Sequence, residues 1–425
     1  MKKILFISVF VSGATLMNAQ EAVTVSIEGN KVAWYSLENG EKGNNDAAGW
    51  DIAFDLKAQD AAIRTNDAYG VSLYEFPGGF AEWDNITEQN TTGLTPLYNS
   101  DTIWRTGAFN QIKDPFFPQP LFDYGWGTYD SGTHNVIGYR VFIIERTGVY
   151  KKKIKIDEME SSGGGRYRFT IADIDGSNEL NLVLEKSDYG NQQFAYYNIE
   201  TNTFPAHEVA PKDEWDLYFT KYQTIVTHPT YGSMMYPAPA GILTNENVQS
   251  VKVEGVNVAT YNDYWGKNFS PNINIIGWEW CGYNFGVGGT HTFNPAPDEM
   301  YFVKAVNGDV WKLVFTGYQI AGIYDFTKEL ISTSSLNENE INQSEVIVYP
   351  NPASNNVSLI LNNMKGEETQ IDIVNVAGQS VYQNVVSGNS NFEVENINTS
   401  HLEAGIYIVK VQSGSQTINQ KLILR

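Results

Sequence analysis

Trp215-Asp216-Leu217-Tyr218-Phe219-Thr220-Lys221-Tyr222 restates an earlier stretch, Trp50-Asp51-Ile52-Ala53-Phe54-Asp55-Leu56-Lys57, at a separation of 165 positions. The flanks repeat too. Upstream, Ala33-Trp34-Tyr35-Ser36-Leu37-Glu38-Asn39-Gly40 matches Ala195-Tyr196-Tyr197-Asn198-Ile199-Glu200-Thr201-Asn202, an aromatic strand running into a polar turn in both cases. Downstream, Val141-Phe142-Ile143-Ile144-Glu145-Arg146-Thr147-Gly148 matches Tyr301-Phe302-Val303-Lys304-Ala305-Val306-Asn307-Gly308, and the approach Gly132-Thr133-His134 matches Gly289-Thr290-His291. The separations are 162 at Trp34, 165 at Trp50, 157 at His134 and 160 at Gly148. A duplication with small loop changes produces such a near-constant shift, whereas a solenoid repeats at a far shorter period. The expected architecture is all-β, with two related units in tandem at residues 21–190 and 191–330.

Composition agrees with a folded β-rich chain. The 425 residues suffice for two or three domains with full cores, and 10 Trp, 25 Tyr and 21 Phe exclude a disordered chain. A formal charge of -21, from 49 acidic against 28 basic residues, excludes nucleic acid as a partner, because tracking phosphates needs a basic face. The one tight basic run, Lys151-Lys152-Lys153, reads as a solvated strand edge protected by lysines.

Met1-Lys2-Lys3, the apolar run Ile4–Val11 and the small residue Ala19 form a secretory signal peptide at 1–19. No cysteine lies near that cut, so no lipid anchor on a mature N-terminal cysteine is expected. No later apolar run approaches the roughly 18 to 20 residues that span a bilayer, so the mature protein is expected to lack a transmembrane segment. Cys281 is the lone cysteine, which rules out an intramolecular disulfide and reads as a small buried hydrophobe.

Glu75 to Tyr129 is irregular and rich in aromatic residues, Gly and Pro, the kind of long loop in which ligand contacts concentrate. Asp173-Ile174-Asp175-Gly176-Ser177-Asn178 has oxygen ligands at alternate positions, but its Gly comes too early for a calcium loop, and an Asp/Asn-stabilised turn is the expectation. Residues 331–345 are polar with little to bury and read as a linker.

The tail, 346–425, has alternating strands separated by frequent turns and reads as a small antiparallel sandwich. Its opening Tyr349-Pro350-Asn351-Pro352-Ala353-Ser354, the turn at Gly378, the strand from Gly405 through Tyr407, and the terminal Lys421-Leu422-Ile423-Leu424-Arg425 together closely resemble the type A C-terminal sorting domain of type IX secretion (Por secretion) cargo in Bacteroidota. That resemblance implies passage through the Sec pathway and the type IX machinery, then release or attachment at the cell surface.

The second unit resembles the HmuY family of haem-binding proteins in Tyr196-Tyr197-Asn198-Ile199, in Trp215-Asp216-Leu217-Tyr218-Phe219, and in the hairpin from Tyr301 to Gln319; the first unit carries a weaker version. The resemblance implies haem as a possible cofactor, gripped by two His or two Met from loops near the sheet, since soft ligands on opposite faces give six-coordinate haem iron. His291 falls near one such loop, His134 matches it in the first unit, and Met234, Met235 and His228 are the other candidate axial ligands. The repeated Gly-Thr-His also reads as a structural turn, Met234 and Met235 as loop packing, and the repeated Trp-Asp as a core Trp with its Asp bonded to backbone.

No GxSxG, HExxH or GxxxxGK[ST] motif is present, so no catalytic residue is assigned and a non-enzymatic protein is expected. Three functions remain open at this point: a secreted haem- or porphyrin-capture protein; a surface adhesin or glycan-binding protein using Trp83, Trp104, Trp126, Trp265, Trp278 and Trp280 as stacking platforms; and a hydrolase whose site has no sequence signature.

Overall fold

The structure, a computed structural model, describes residues 20–57, 60–113, 123–228, 232–236, 239–285, 291–333, 345–362, 364, 368–376, 378–387, 392–414 and 416–425. The expected signal peptide and most of the expected 331–345 linker lie outside these residues. The chain forms two units, divided after position 334.

Among the described residues, the larger unit stacks four antiparallel sheets and carries two further two-stranded hairpins. One inner sheet has the order Phe194–Tyr197, Ile52–Asp55, Ile63–Thr65. The other places Lys31–Ser36, Leu217–Lys221 and Ala240–Thr244 in the same order, with Gly40–Asp46 added outside Lys31–Ser36. Each Trp-Asp strand is therefore central, flanked by one aromatic strand and one later strand. The outer sheets match as well. Leu180–Glu185, Arg166–Asp173, Tyr150–Glu160, Val141–Arg146 and Val71–Phe76 in the first correspond to Glu21–Ser26, Ile323–Ser332, Val310–Gln319, Met300–Lys304 and Gln249–Val253 in the second.

The expected boundary at 190/191 does not separate these sheets. Phe194–Tyr197 pairs with Ile52–Asp55, while Glu21–Ser26 and Lys31–Ser36 pair with Ile323–Ser332 and Leu217–Lys221. The first repeat thus gives Glu21–Ser26, Lys31–Ser36 and Gly40–Asp46 to the sheets of the second, the second gives Phe194–Tyr197 to a sheet of the first, and the chain start closes the second half. Sequence adjacency suggested two consecutive units; the pairing produces two interlocked ones. The last strand of this unit runs to Ser332, two residues into the expected linker.

Period-two alternation explains why the inner strands are apolar on both faces. Ala195 and Tyr197 face the first outer sheet among Phe54, Phe142 and Phe169, while Phe194 and Tyr196 face the other inner sheet. Ala33 and Tyr35 likewise join Phe219, Tyr301 and Phe326 toward the second outer sheet, while Val32 and Trp34 meet Trp215, Tyr196 and Leu243 between the inner sheets.

The repeated Asp staples the interlock. Asp51 Oδ2 accepts from the Ile199 N–H at 2.7 Å, and Asp216 Oδ2 from the Leu37 N–H at 2.7 Å, in both cases an amide of the other repeat. The same two aspartates donate their backbone N–H to the Tyr197 and Tyr35 carbonyls. Asn66 and Asn245 follow the pattern, each donating its side-chain amide to the carbonyl of the preceding Trp, at 2.9 and 3.0 Å. Burial pushes both carboxyls above their ordinary range in spite of these bonds. The sequence reading of Trp-Asp as a core Trp with a backbone-bonded Asp matches Trp215, which is 2% exposed; Trp50 is half-buried.

Outside the stack, the irregular segment after Val71–Phe76 covers the first outer sheet with Phe80, Trp83 and Ile86, and residues 256–269 cover the second with Tyr261, Tyr264 and Phe269. Lys151–Lys153 is a correction. Tyr150–Glu160 is an interior strand of its sheet, so only Lys151 and Lys152 reach carboxylates, those of Glu88 and Asp173. Lys153 is buried at 2% exposure with Nζ donating to the Trp83 carbonyl at 2.7 Å. The Asp173 loop is a turn, with Asp175 accepting from Ser177 N–H and Asp173 from Asn178.

The tail is a sandwich of a three-stranded and a four-stranded sheet around Val346, Leu359, Ile371, Ile373, Val409 and Leu422. Pro350 and Pro352 have no N–H to donate, and the Asn351 side chain takes their place. Its Nδ2 donates to the Lys421 carbonyl at 2.5 Å and its Oδ1 accepts from the Ile423 N–H at 2.9 Å, so the opening motif holds the terminal strand.

Asp216→Ala strands the Leu37 and Val306 amides and is expected to cost about 3 kcal/mol, read as a lowered urea midpoint at unchanged slope. Asn351→Ala removes two bonds at a partly solvated site and is expected to destabilise the tail by about 1 to 2 kcal/mol, visible as faster hydrogen exchange at Ile423.

Candidate functional site

His134 and His291 fall on equivalent hairpins, and the other ligand candidates on a third. Gly127–Asp130 and Asn135–Gly138 form one hairpin; Cys281–Phe285 and His291–Pro295 form its counterpart. His134 closes the first, exposed, in a left-handed conformation at φ 60°, with its N–H donating to the Asp130 carbonyl. Its Nδ1 lies 2.7 Å from the Tyr129 hydroxyl. His291 opens a strand in the second, opposite Phe285. His228, Met234 and Met235 lie on a third hairpin, Thr224–His228 with Gly232–Tyr236, where Met235 pairs with Ile225. The side chains of His228, Met234 and His291 lie outside what the structure describes. Among the described residues, no group of three or more His, Cys, Asp or Glu is placed to hold a metal ion.

Most of the expected stacking platforms are buried. Trp83 and Trp104 are 8% exposed, Trp280 is 2% and Trp126 is 0%, so these four are core residues. Sequence shows aromatic content but not which loops fold back on a sheet. Trp265 alone of the six is openly exposed, at 77%, and Trp278 is intermediate. Cys281 is half-buried and burial pushes its thiol up to about 11, leaving it protonated and unreactive.

Sequence reading missed the seam between the inner sheets. His207, in the connector before Trp215, is 2% exposed, its ring 4.6 Å from Tyr196, 5.4 Å from Trp34 and 5.7 Å from Trp50. Beside it, Glu208 accepts from the Gln193 and Phe194 amides and the Tyr196 hydroxyl at 2.8 to 3.0 Å. Nothing in the pattern around His207-Glu208 marked either for burial; only the strand pairing brings them inside.

A cleft of about 220 Å³ opens beside the third hairpin, lined by Asp101, Tyr222, Thr224, Lys252, Asn274, Trp278 and Glu279 among others. It is built across the two repeats. Buried Arg64 donates to the carbonyls of Ser100, Ile103, Trp104 and Thr106, which fixes the loop that carries Asp101. Asp101 Oδ2 then accepts from Thr224 Oγ1 at 2.5 Å and Asn274 Nδ2 at 3.2 Å. The Asn274–Trp278 segment is tied to the inner sheet through reciprocal Ile242 and Gly277 backbone bonds. Gly277 has φ 59°, and a Cβ there would approach the Tyr222 hydroxyl at 3.0 Å, so the glycine serves both the turn and the ring.

The fold and tail define an all-β exported protein. Residues 347–425 match the family described as "Secretion system C-terminal sorting domain", so the tail is a type IX sorting domain and the protein is secreted or attached to the cell surface, with the type IX machinery as a partner. A solved structure, "Crystal structure of dimeric latent PorU from Porphyromonas gingivalis", is similar at 12% identity over 93% of this chain and 34% of that one, with a TM-score of 0.18. The chain thus spans about a third of that protein. No curated protein sequence matches this chain. Among the described residues, no helix is long and apolar enough to cross a membrane.

Glu208 and His207 give stability a pH dependence with opposed signs. Burial pushes Glu208 up from 4.5 to about 7, so the folded state keeps a proton that the unfolded chain has released, and stability falls as pH rises across that window. Burial pushes His207 down from 6.5 to about 3, so its contribution is lost as pH falls below 6.5. Glu208→Gln removes only the first effect. The melting temperature of wild type relative to this variant should therefore decline between pH 4.5 and pH 7, measured by calorimetry in matched buffers.

Proposed function

We propose that residues 20–333 form an HmuY-like, non-enzymatic capture core for haem or a related porphyrin, worked outside the cell after type IX export. The observation that carries this reading is His134. Its imidazole is exposed at the end of a hairpin, and Tyr129 engages Nδ1 at 2.7 Å. An iron ligand is held in this way when the second nitrogen donates to a neighbouring oxygen, which fixes tautomer and ring orientation. The segments resembling HmuY support the same reading, because they occupy equivalent strands in both halves and supply the frame from which such hairpins project. The buried carboxylates Asp51, Asp216 and Glu208 are engaged by backbone amides, which accounts for them as structural groups and supports a non-enzymatic core.

Haemin titrated into the mature protein should give a saturable Soret shift at micromolar concentration, weakened by His134→Ala and by His291→Ala. An unshifted Soret band under those conditions removes the haem reading.

A further inference from the structure

We propose that the cleft between the Asp101 loop and the start of the Thr224–His228 strand is a binding site for a neutral saccharide, separate from the haem reading. Its walls combine the Trp278 and Tyr222 rings with side chains of both hydrogen-bonding senses: Asp101 and Glu279 as acceptors, Lys252 as donor, Thr224 and Asn274 as either. A sugar ring needs this combination, since it presents a C–H face that rests on an aromatic ring and hydroxyls that both donate and accept.

Other ligand classes fit less well. About 220 Å³ with mostly polar walls is small and wet for a porphyrin. Anions meet Asp101 and Glu279, and the Lys252 charge is already matched by Glu254 and Glu299, each at 2.8 Å, which leaves one of its three N–H groups for a neutral hydroxyl. The site is also preorganised. Asp101 is held by Thr224 and Asn274, its loop by Arg64, and Trp278 leans on Tyr236 at 5.0 Å between ring centres, so little ordering accompanies binding. Arg64 occupies the strand place that Leu243 takes in the other repeat, immediately before Thr65-Asn66 and Thr244-Asn245. Leu243 has no guanidinium with which to gather a loop, so the duplication supplies this cleft from one side only.

The test uses the haem-free mature chain, screened on an array of neutral mono- and oligosaccharides and then measured by calorimetry with the best ligand. Saturable binding is expected, with Asp101→Asn and Trp278→Ala each weakening it about tenfold or more. Glu279→Gln, at an exposed position, gives a second cleft variant should either of these fail to fold. Trp265→Ala should leave affinity unchanged. The proposal is overturned if no saccharide binds at about 10 mM, a level that would detect even weak recognition. It is equally overturned if affinity survives the cleft variants but is lost in Trp265→Ala, or if spermidine binds where saccharides do not. Haemin binding is read separately by absorbance, so loss of either reading is distinguishable from loss of the other.

Discussion

The carboxylate that follows each repeated tryptophan is the constraint on which the larger unit depends. Asp51 and Asp216 each accept an amide from the opposite repeat at 2.7 Å, at sites too buried for water to substitute. An acceptor is obligatory there, because Leu37 and Ile199 lie just past the ends of the aromatic strands Lys31–Ser36 and Phe194–Tyr197, where the ladder offers their amides no carbonyl. Placing the acceptor on the neighbouring central strand fixes the register of two strands far apart in sequence. It also fixes which repeat supplies the aromatic strand, and so makes the halves inseparable. The hairpin turn beyond completes the arrangement: Val306 N–H bonds Asp216 in one half, and Arg146 and Tyr150 reach Asp51 in the other. Gly148 and Gly308, at φ 77° and 84°, allow both turns to bend back this way.

Interlocking explains the composition. An inner sheet covered on both faces cannot alternate apolar with polar residues, so its strands run apolar at successive positions, as in Phe194–Tyr197. Aromatic residues fill that space while offering an edge or a hydroxyl to a buried polar neighbour, which is how Tyr196 serves both the ring of His207 and the carboxylate of Glu208. The tail solves a related problem differently. Two prolines follow its first strand, Glu345–Tyr349, and one carboxamide, that of Asn351, donates and accepts where backbone would otherwise do so.

What could be read in advance was the internal copy, because strand pattern and turn residues are local properties that survive duplication. Trp50 and Trp215 sit in the same strand order for that reason. The exchange of strands was not legible, since Lys31–Ser36 pairs equally well by pattern with either central strand. Only the closing position of Glu21–Ser26 beside Ile323–Ser332 decides between them. The site was less legible still. The aromatic loops after Phe76 looked like ligand loops, yet Trp83 and Trp126 are spent covering apolar sheet faces. Asp101, without any surrounding motif, gains its place from an arginine nearly forty positions earlier.

A duplicated scaffold diverges most freely where the copies do not share a hydrogen-bonding duty. Asp51 and Asp216, or Asn66 and Asn245, cannot change without leaving buried backbone groups unpaired, so both copies retain them. Arg64 and Leu243 carry no such shared duty, and there the copies part. Arginine brings a charge into the seam, and it is tolerable because four carbonyls surround it and the Trp104 ring lies 5.0 Å away. Those carbonyls belong to one loop, so satisfying the guanidinium and shaping that loop are the same event. The loop then delivers Trp104 to the Thr244 carbonyl of the other repeat and Asp101 to the cleft beside Thr224. A difference at a position free of the stapling network thereby gives one half a loop and a cleft wall that Leu243 does not build in the other, and the bonds that interlock the halves do not involve it.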